Sequence, residues 1–308
     1  MKLKFKDAYI QYLDYIEYKQ KIQSKETLKE RFKNRILPYW ENYDIYSITE
    51  FDYLKWQNEI EESNYSNNYK NGLHYLMSGF FEYCIKFHSL SLNVAKKVGP
   101  FKNINKKVKH DYYTLGEFKK FIKYVDNDIY KQFFNLMFFT GTRPGEAMAL
   151  RFSDLSFRRL SINKSISEHS FNGKRVIDTP KSLSSCRDIK IDKKLYKSLL
   201  KLHDLYVNEN DDNGFDYFIF GGIKPLAPTT INRYKKNACI KAHLRKIKLH
   251  EFRHSHATLL YDYNVDIQSI KERLGHSDIN VTMSTYVHQT NKHEKRVTRT
   301  LSLLRLFF

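Results

Sequence analysis

A chain of 308 residues has room for two domains of ordinary size, and its 41% hydrophobic and 15% aromatic content excludes a disordered polymer. Lys and Arg total 53 against 34 Asp and Glu, a formal charge of +19, so nucleic acid or an anionic membrane surface is the first partner to expect. No stretch reaches the roughly 20 apolar residues of a membrane span, and Met1–Lys6 carries charge with no apolar core behind it. The three cysteines (Cys84, Cys186, Cys239) form neither a disulfide framework nor a zinc knuckle, so the expectation is a soluble basic protein of the cytoplasm.

The first hundred residues read as helical. Leu3 to Gln20 carries Phe5, Ala8, Tyr9, Tyr12, Leu13 and Ile16 at helical spacing. A second helix is expected from Ser24 to just before Pro38, whose ring disfavours helix in the preceding residue. Ser47-Ile48-Thr49-Glu50 reads as a capping box opening a third helix toward Glu62. A fourth spans Asn67 to Phe87, with Tyr75, Phe80, Phe81 and Tyr83 as core candidates. Short connections would gather these helices into a compact α-domain over residues 1–106. Residues 95–110 contain Gly99-Pro100 and a run of lysines, and read as a linker: a solvated spacer or a strap along a phosphate backbone.

A second domain is expected over residues 112–308, opened by the Thr114–Glu117 capping box and helical to about Leu150. Between Leu160 and Ile191 the runs LSINKSI, RVIDTP and CRDIKI alternate, with turns at Asn172-Gly173 and Ser182–Ser185, which predicts a three-stranded antiparallel sheet. Helices resume after Asp192. The fold class expected is mainly α with a small antiparallel β-sheet.

One segment offers two chemistries. His250-Glu251-Phe252-Arg253-His254 matches H-E-x-x-H, the helical pattern that sets two histidines on one face to bind zinc in a protease. Arg253 would then place a fixed cation beside a dication, and Ala257 and Leu260 stand where the extended motif needs Gly and His. Glu272 could still supply a third ligand, so that alternative stays open. A different grouping uses more of the same residues. His250 and Arg253, at i and i+3, share a helix face. Gly275 ends a helix with His276 just beyond, and Tyr286 follows ten residues later in a helical segment over 281–287. Upstream, Thr140–Glu146 puts Arg143 in a turn with a carboxylate three residues on. Two arginines, two histidines and a lysine around one tyrosine suit metal-free phosphoryl transfer, the guanidiniums neutralising charge on a five-coordinate phosphorus. Singly these residues are ordinary: there are 23 tyrosines, Arg143 could simply pair with Glu146, and His276 could be a capping residue. Their order and spacing carry the hypothesis.

In that order and spacing the chain resembles the tyrosine recombinases, also called phage integrases. FFTGTRPGEAMALRFSDL resembles the family's first arginine box, which implies Arg143 as a catalytic arginine with Glu146 supporting it. The stretch from Leu249 to His288 resembles the second box and implies His250, Arg253 and His276 as catalytic, with Tyr286 the nucleophile. TPKSLSSCRDIKI resembles the hairpin that carries the catalytic lysine and implies Lys181, with Lys174 and Lys190 as the register rivals. The helical N-terminal region is similar to the family's SAM-like core-site DNA-binding domain.

The resemblance implies a site-specific DNA recombinase that integrates or excises a mobile element through a 3′-phosphotyrosyl intermediate, with no metal, nucleotide or other cofactor. It implies double-stranded recombination sites as partner, a homotetramer on two duplexes, accessory DNA-bending or directionality factors, and a cytoplasmic, nucleoid-associated location. The alternatives are a recombinase resolving chromosome dimers, a type IB topoisomerase, a binding-only regulator of the same fold, and the zinc protease. The helical domain starts almost at Met1, which reads as a two-domain recombinase, or one shortened at its start, without an arm-binding domain. The apolar run Leu301–Phe308 would dock on a neighbouring protomer or on its own domain.

Overall fold

The computed structural model describes residues 2–102, 111–167, 175–178, 185–210 and 214–275. Contacts divide the chain into two compact units, Met1–Val108 and Lys109–Phe308.

In the first unit, helix α1 (Phe5–Ile16) buries Phe5, Ala8, Tyr9, Tyr12 and Ile16, the face its spacing predicts. Helix α2 (Ile22–Arg31) ends before Pro38, but the helical run does not. A π-helical turn, Phe32–Ile36, follows it, and α3 (Leu37–Trp40) then begins with Pro38 in its first turn. The π turn directly before Pro38, closed by the Leu37 N–H on Phe32 O, gives the ring room, so the helical run passes through the proline instead of stopping at it. The cap of α4 (Glu50–Glu61) is likewise displaced from its expected place. Thr49, not Ser47, accepts the Asp52 N–H, and Asp52 Oδ2 accepts the Thr49 N–H at 3.0 Å, while Ser47 Oγ donates to Asp44 O. Capping at Thr49 sets Ile48 and Tyr53 just outside and just inside the helix start, and both enter the core, the pattern of a hydrophobic staple.

Helix α5 (Asn67–His88), capped by Ser66, buries Leu73, Met77, Phe80, Phe81 and Cys84. Tyr75 falls off that stripe and is 64% exposed, so it is a surface residue and not the core residue expected. A short helix α6 (Val94–Val98) ends at Gly99, whose φ of +89° suits glycine. The unit's centre is a lattice of rings: Phe5–Phe80 centroids lie 4.4 Å apart, Tyr9–Phe32 4.6 Å, and Tyr53–Trp56 5.3 Å. The rest of the expected linker, 103–110, lies outside the described residues.

The second unit opens at the expected Thr114–Glu117 capping box, which starts α7 (Leu115–Lys123). Asn127 caps α8 (Asp128–Thr140), which ends in left-handed Gly141, and α9 (Pro144–Ala149) starts three residues later. The strands are β1 (Leu155–Ser156), β2 (Arg159–Ile162), β3 (Ser165–Ile166), β4 (Ile177–Asp178) and β5 (Arg187–Lys190). They form a three-stranded antiparallel sheet β1-β2-β5 and a separate β3-β4 pair, so the single sheet expected from 160–166, 175–180 and 186–191 is split. Two contacts account for the break after Ile162. Lys164 turns to meet Asp154 at 2.7 Å, and β3 lies so close to α9 that a Cβ on Gly145 would stand 2.6 Å from Ile166 O. Both expected hairpin turns fall wholly or largely outside the described residues, which omit 168–174 and 179–184.

Helices α10 (Lys193–Asn210), α11 (Pro228–Lys241), α12 (Glu251–Asp262) and α13 (Ile267–Leu274) complete the unit. Helix α12 packs along α8: Phe252 meets Phe118, Phe121 and Phe134, and Phe118 stacks on Phe138 with centroids 3.8 Å apart. That packing carries the next turns of α12 to the C-terminal end of α8. Among the described residues no helix is long and apolar enough to cross a membrane.

Candidate active site

Three chain reversals meet at the end of α8. The first is the turn Gly141–Arg143. Gly141 sits at φ +70°, and a Cβ there would stand 2.6 Å from the His256 ring and 2.7 Å from Leu274, so only glycine lets α8, α12 and α13 converge. Arg143 then serves as N-cap of α9, its backbone N–H and its Nη1 donating to Glu146 at 2.9 and 2.7 Å. The pairing of Arg143 with Glu146 raised as the plain reading of the sequence therefore exists. It also aims the arginine, whose Nη2 reaches the carbonyl of Gly275 at 3.5 Å.

The second reversal is the C-terminus of α13, capped by Gly275 in the left-handed region at φ +67°. Glycine ends this helix as the sequence predicts. The third is the start of α12. His250 is its N-cap residue and is exposed, with its ring 5.2 Å from that of His254. Arg253, by contrast, is 1% exposed. Its Nη1 donates to Gly141 O at 2.9 Å and its Nη2 to Leu274 O at 2.7 Å, so this one guanidinium joins the first two reversals. The imidazole and guanidinium expected side by side on one face thus stand in different surroundings, one at the surface and one inside.

Behind these groups lies a second row, of which the sequence reading named Glu146 but not Arg187, His256 or Arg273. Glu146 is 2% exposed and its carboxylate is shared. Arg187, on β5, donates Nη1 to Oε1 at 3.2 Å and Nη2 to Oε2 at 2.9 Å. Burial alone would raise the Glu146 pKa. The Arg187 hydrogen bond and charge, then the Arg143 backbone N–H and charge, outweigh it and hold the group below its ordinary value. His256 is also enclosed: its Nδ1 lies 2.9 Å from Phe138 O and its Nε2 3.0 Å from Arg273 Nε. A carbonyl can only accept and an arginine Nε–H can only donate, so the proton sits on Nδ1 and the ring is neutral. Burial, then the Arg273 charge, pushes its pKa down to about 3. Arg273 also donates to Phe139 O at 3.1 Å and Lys190 O at 3.2 Å, tying α13 to α8 and β5.

A signal for this second row existed. Alternation along β5 puts Arg187 on the same side as buried Ile189, and His256 follows Arg253 by three residues on α12. Both are polar residues at apolar positions.

The residues brought together are therefore Arg143, Glu146 and Arg253, with the Gly275 carbonyl. Lys181, His276 and Tyr286 lie outside the described residues. Among the described residues no group of three His, Cys, Asp or Glu side chains is placed to hold a metal, and Glu272, the third ligand the zinc alternative needs, hydrogen-bonds Gln268. What the arrangement can do is bind an oxyanion. Arg253 is held by carbonyls of both turns and Arg143 by Glu146 and the Gly275 carbonyl, with Arg187 and Arg273 close behind. Their cationic charge exceeds what the Glu146 carboxylate neutralises.

Comparison with known proteins points the same way. The profile of the phage integrase family matches residues 114–293. The ICEBs1 integrase of Bacillus subtilis (strain 168) is 30% identical over 293 residues, covering 93% of this chain and 79% of that protein. The integrase of Staphylococcus phage L54a is 24% identical over 316 residues, covering 92% and 88%. Among solved structures, the Tn1549 transposon integrase in complex with transposon right end DNA superposes with a TM-score of 0.76 at 18% identity, covering 97% of this chain and all of that one, a likeness of fold.

Proposed function

The chain belongs to the phage integrase family, and from that membership we propose the roles of its residues in cutting and rejoining DNA. The protein is a tyrosine-type site-specific DNA recombinase, an integrase of mobile elements; its relatives from a phage and from Bacillus subtilis are named integrases.

Tyr286 Oη attacks the scissile phosphorus in line, forming a 3′-phosphotyrosyl bond and expelling the 5′-oxygen. The phosphodiester energy is kept in that bond, so a 5′-hydroxyl from a second duplex can reverse the step without ATP. Arg143 and Arg253 bind the non-bridging oxygens and His276 adds a hydrogen bond. Lys181 protonates the departing 5′-oxygen, and His250 assists proton movement at the tyrosine. The observation that carries this reading is the joint anchoring of Arg143 and Arg253 at the Gly141 and Gly275 turns, one residue before His276. Two guanidiniums fixed there, one of them aimed by Glu146, suit the non-bridging oxygens of a phosphate. The exposure of His250 suits a group that meets the DNA and exchanges protons.

The first unit, in this reading, grips the core site and the second cuts it, in a homotetramer on two duplexes in the cytoplasm, assisted by DNA-bending or directionality factors. Solved relatives support that assembly: lambda integrase has been seen as a tetramer bound to a Holliday junction.

The test is covalent capture. The protein is incubated with nicked duplexes in chelator, and an SDS-resistant protein–DNA adduct is sought. Wild type forms it, Tyr286→Phe binds the same DNA and does not, and synapsis of two sites separates a recombinase from a topoisomerase. An adduct with Tyr286→Phe would move the nucleophile elsewhere. No adduct with wild type would leave a binding-only regulator.

A further inference from the structure

We propose that Arg187 is a positioning residue of this active site, the strut that sets Arg143, the turn before His276 and the base of the segment carrying Lys181 in one frame. The inference rests on the reading above and adds a residue to it.

The geometry begins with burial. The Arg187 side chain is 7% exposed although it lies on a two-sided strand of a small sheet, and its cross-strand neighbour is buried Ile162. Burying a guanidinium is unfavourable unless its donors are met, and here they are met by three separate pieces of chain. Nη1 and Nη2 fork onto the two oxygens of Glu146. Nε donates to Arg273 O at 2.8 Å, and Nη1 also donates to Ser185 O at 2.9 Å.

Each contact lies on a piece of chain that, in sequence, carries or adjoins a proposed reacting group. Glu146 Oε1 and Oε2 also hold Arg143 Nη1 and the Arg143 backbone N–H, so each carboxylate oxygen takes one bond from each arginine. Moving Arg187 moves the carboxylate, and the carboxylate sets the Arg143 guanidinium. Arg273 O belongs to the last turn of α13, three residues before His276, and Ser185 directly follows the 179–184 segment that contains Lys181. A strut serving stability alone would need none of these addresses. A planar fork is also required: lysine can reach one acceptor with its point charge but cannot hold Glu146, Arg273 O and Ser185 O in one plane.

The experiment compares full-length wild type, Arg187→Met and Arg187→Lys. Wild type first captures duplexes from a nicked random-sequence pool as SDS-resistant adducts, and the captured sequence, resynthesised, is the probe for all three proteins. The readouts are the single-turnover rate constant and the amplitude of adduct formation at saturating DNA, with DNA affinity by fluorescence anisotropy and the melting temperature alongside. Displacement of a reacting group by about 1 Å costs on the order of 100-fold in rate. Arg187→Met is therefore expected to slow the rate constant about 100-fold with DNA affinity little changed, and Arg187→Lys, which keeps the charge but not the fork, about 10-fold.

A lower amplitude or melting temperature with an unchanged rate constant would show a purely structural strut and overturn the proposal. If Arg187→Met does not fold, the rate constant of Arg187→Lys decides alone: wild-type speed overturns it, and a slowed rate supports it. Absence of any adduct with wild type is a different failure, that of the recombinase reading itself, and the inference falls with it.

Discussion

The first unit fills its centre with rings, Phe5 on Phe80 and Trp40 beside Trp56, and its buried lysines pair one to one with Glu17 and Glu61 at the edge. The second unit has a ring layer too, Phe118 on Phe138 and Phe252, yet it also buries Glu146, Arg253 and His256 in a chain of directional bonds. Ring packing is set by volume and tolerates approximate solutions. A buried network of charges must be satisfied bond by bond, and each bond fixes an orientation. The difference teaches where precision is spent: the second unit accepts the cost of desolvating charges at the place where the position of a guanidinium matters.

The largest effect that separates the two interiors is a cavity in the first. Phe80 is fully buried and its ring meets Phe5, Tyr12, Phe32 and Phe81. Phe80→Ala is expected to destabilise the first unit by about 3–5 kcal/mol. The chain has two tryptophans, Trp40 and Trp56, both in that unit, so intrinsic fluorescence during urea unfolding reads it selectively. Thiol labelling adds the control: Cys84 is buried in the first unit and Cys239 in the second, and Cys84 alone should lose protection. Equal loss at Cys239 would break the comparison, because the ring lattice would then carry both interiors.

A smaller effect, visible only with pH, belongs to the second unit. His256 is neutral when folded, with a pKa near 3, against an ordinary value of 6.5. The unfolded chain therefore binds a proton that the folded chain refuses as pH falls below 6.5, and stability declines on the acid side. The slope approaches about 1.4 kcal/mol per pH unit from this group. His256→Gln removes the titration, so the margin of wild type over the variant should shrink steadily between pH 6.5 and pH 5 in scanning calorimetry. A constant margin would mean that the ring is not buried neutral and that the network is looser than the ring lattice.

How much of this was legible beforehand follows the same division. Periodicity marked Phe5, Ala8, Tyr9 and Tyr12 on α1 and the Thr114–Glu117 cap, because both depend on residues a few positions apart. Local rules misled where two were equally good. Ser47 and Thr49 both head an acidic residue three positions on, and only the burial of Ile48 and Tyr53 decides between them. Pro38 reads as a stop, yet a π-turn just before it lets the helical run continue. In the site, Arg143 and Arg253 were marked by motif order, whereas Arg187 and Arg273 were not. Their side-chain partners, Glu146 and His256, are remote in sequence, and their other partners are backbone carbonyls, Arg273 O for one and Phe139 O for the other, which leave no trace in the residue alphabet.

The smallest effect tests whether the two units differ in anything short-range. The same cap opens a helix in each. Thr49 accepts from the Asp52 N–H at 3.2 Å in the first unit, and Thr114 accepts from the Glu117 N–H at 3.3 Å in the second. In both, the acidic side chain returns a bond to the cap's own backbone N–H, which an alanine would keep. What alanine loses is the hydroxyl, which accepts from the backbone and donates to the acidic side chain at 2.6 Å in the first unit and 2.9 Å in the second, at a solvent-exposed helix start, about 1 kcal/mol in either place. Thr49→Ala read by tryptophan fluorescence and Thr114→Ala read by Cys239 labelling should therefore agree within about 0.5 kcal/mol. Glu117 accepts two further bonds, both from Arg245, which tie the cap to the loop before α12. If Thr114→Ala costs clearly more than Thr49→Ala, that tie makes the cap part of the directional network, and the contrast between the units begins at the first turn of α7.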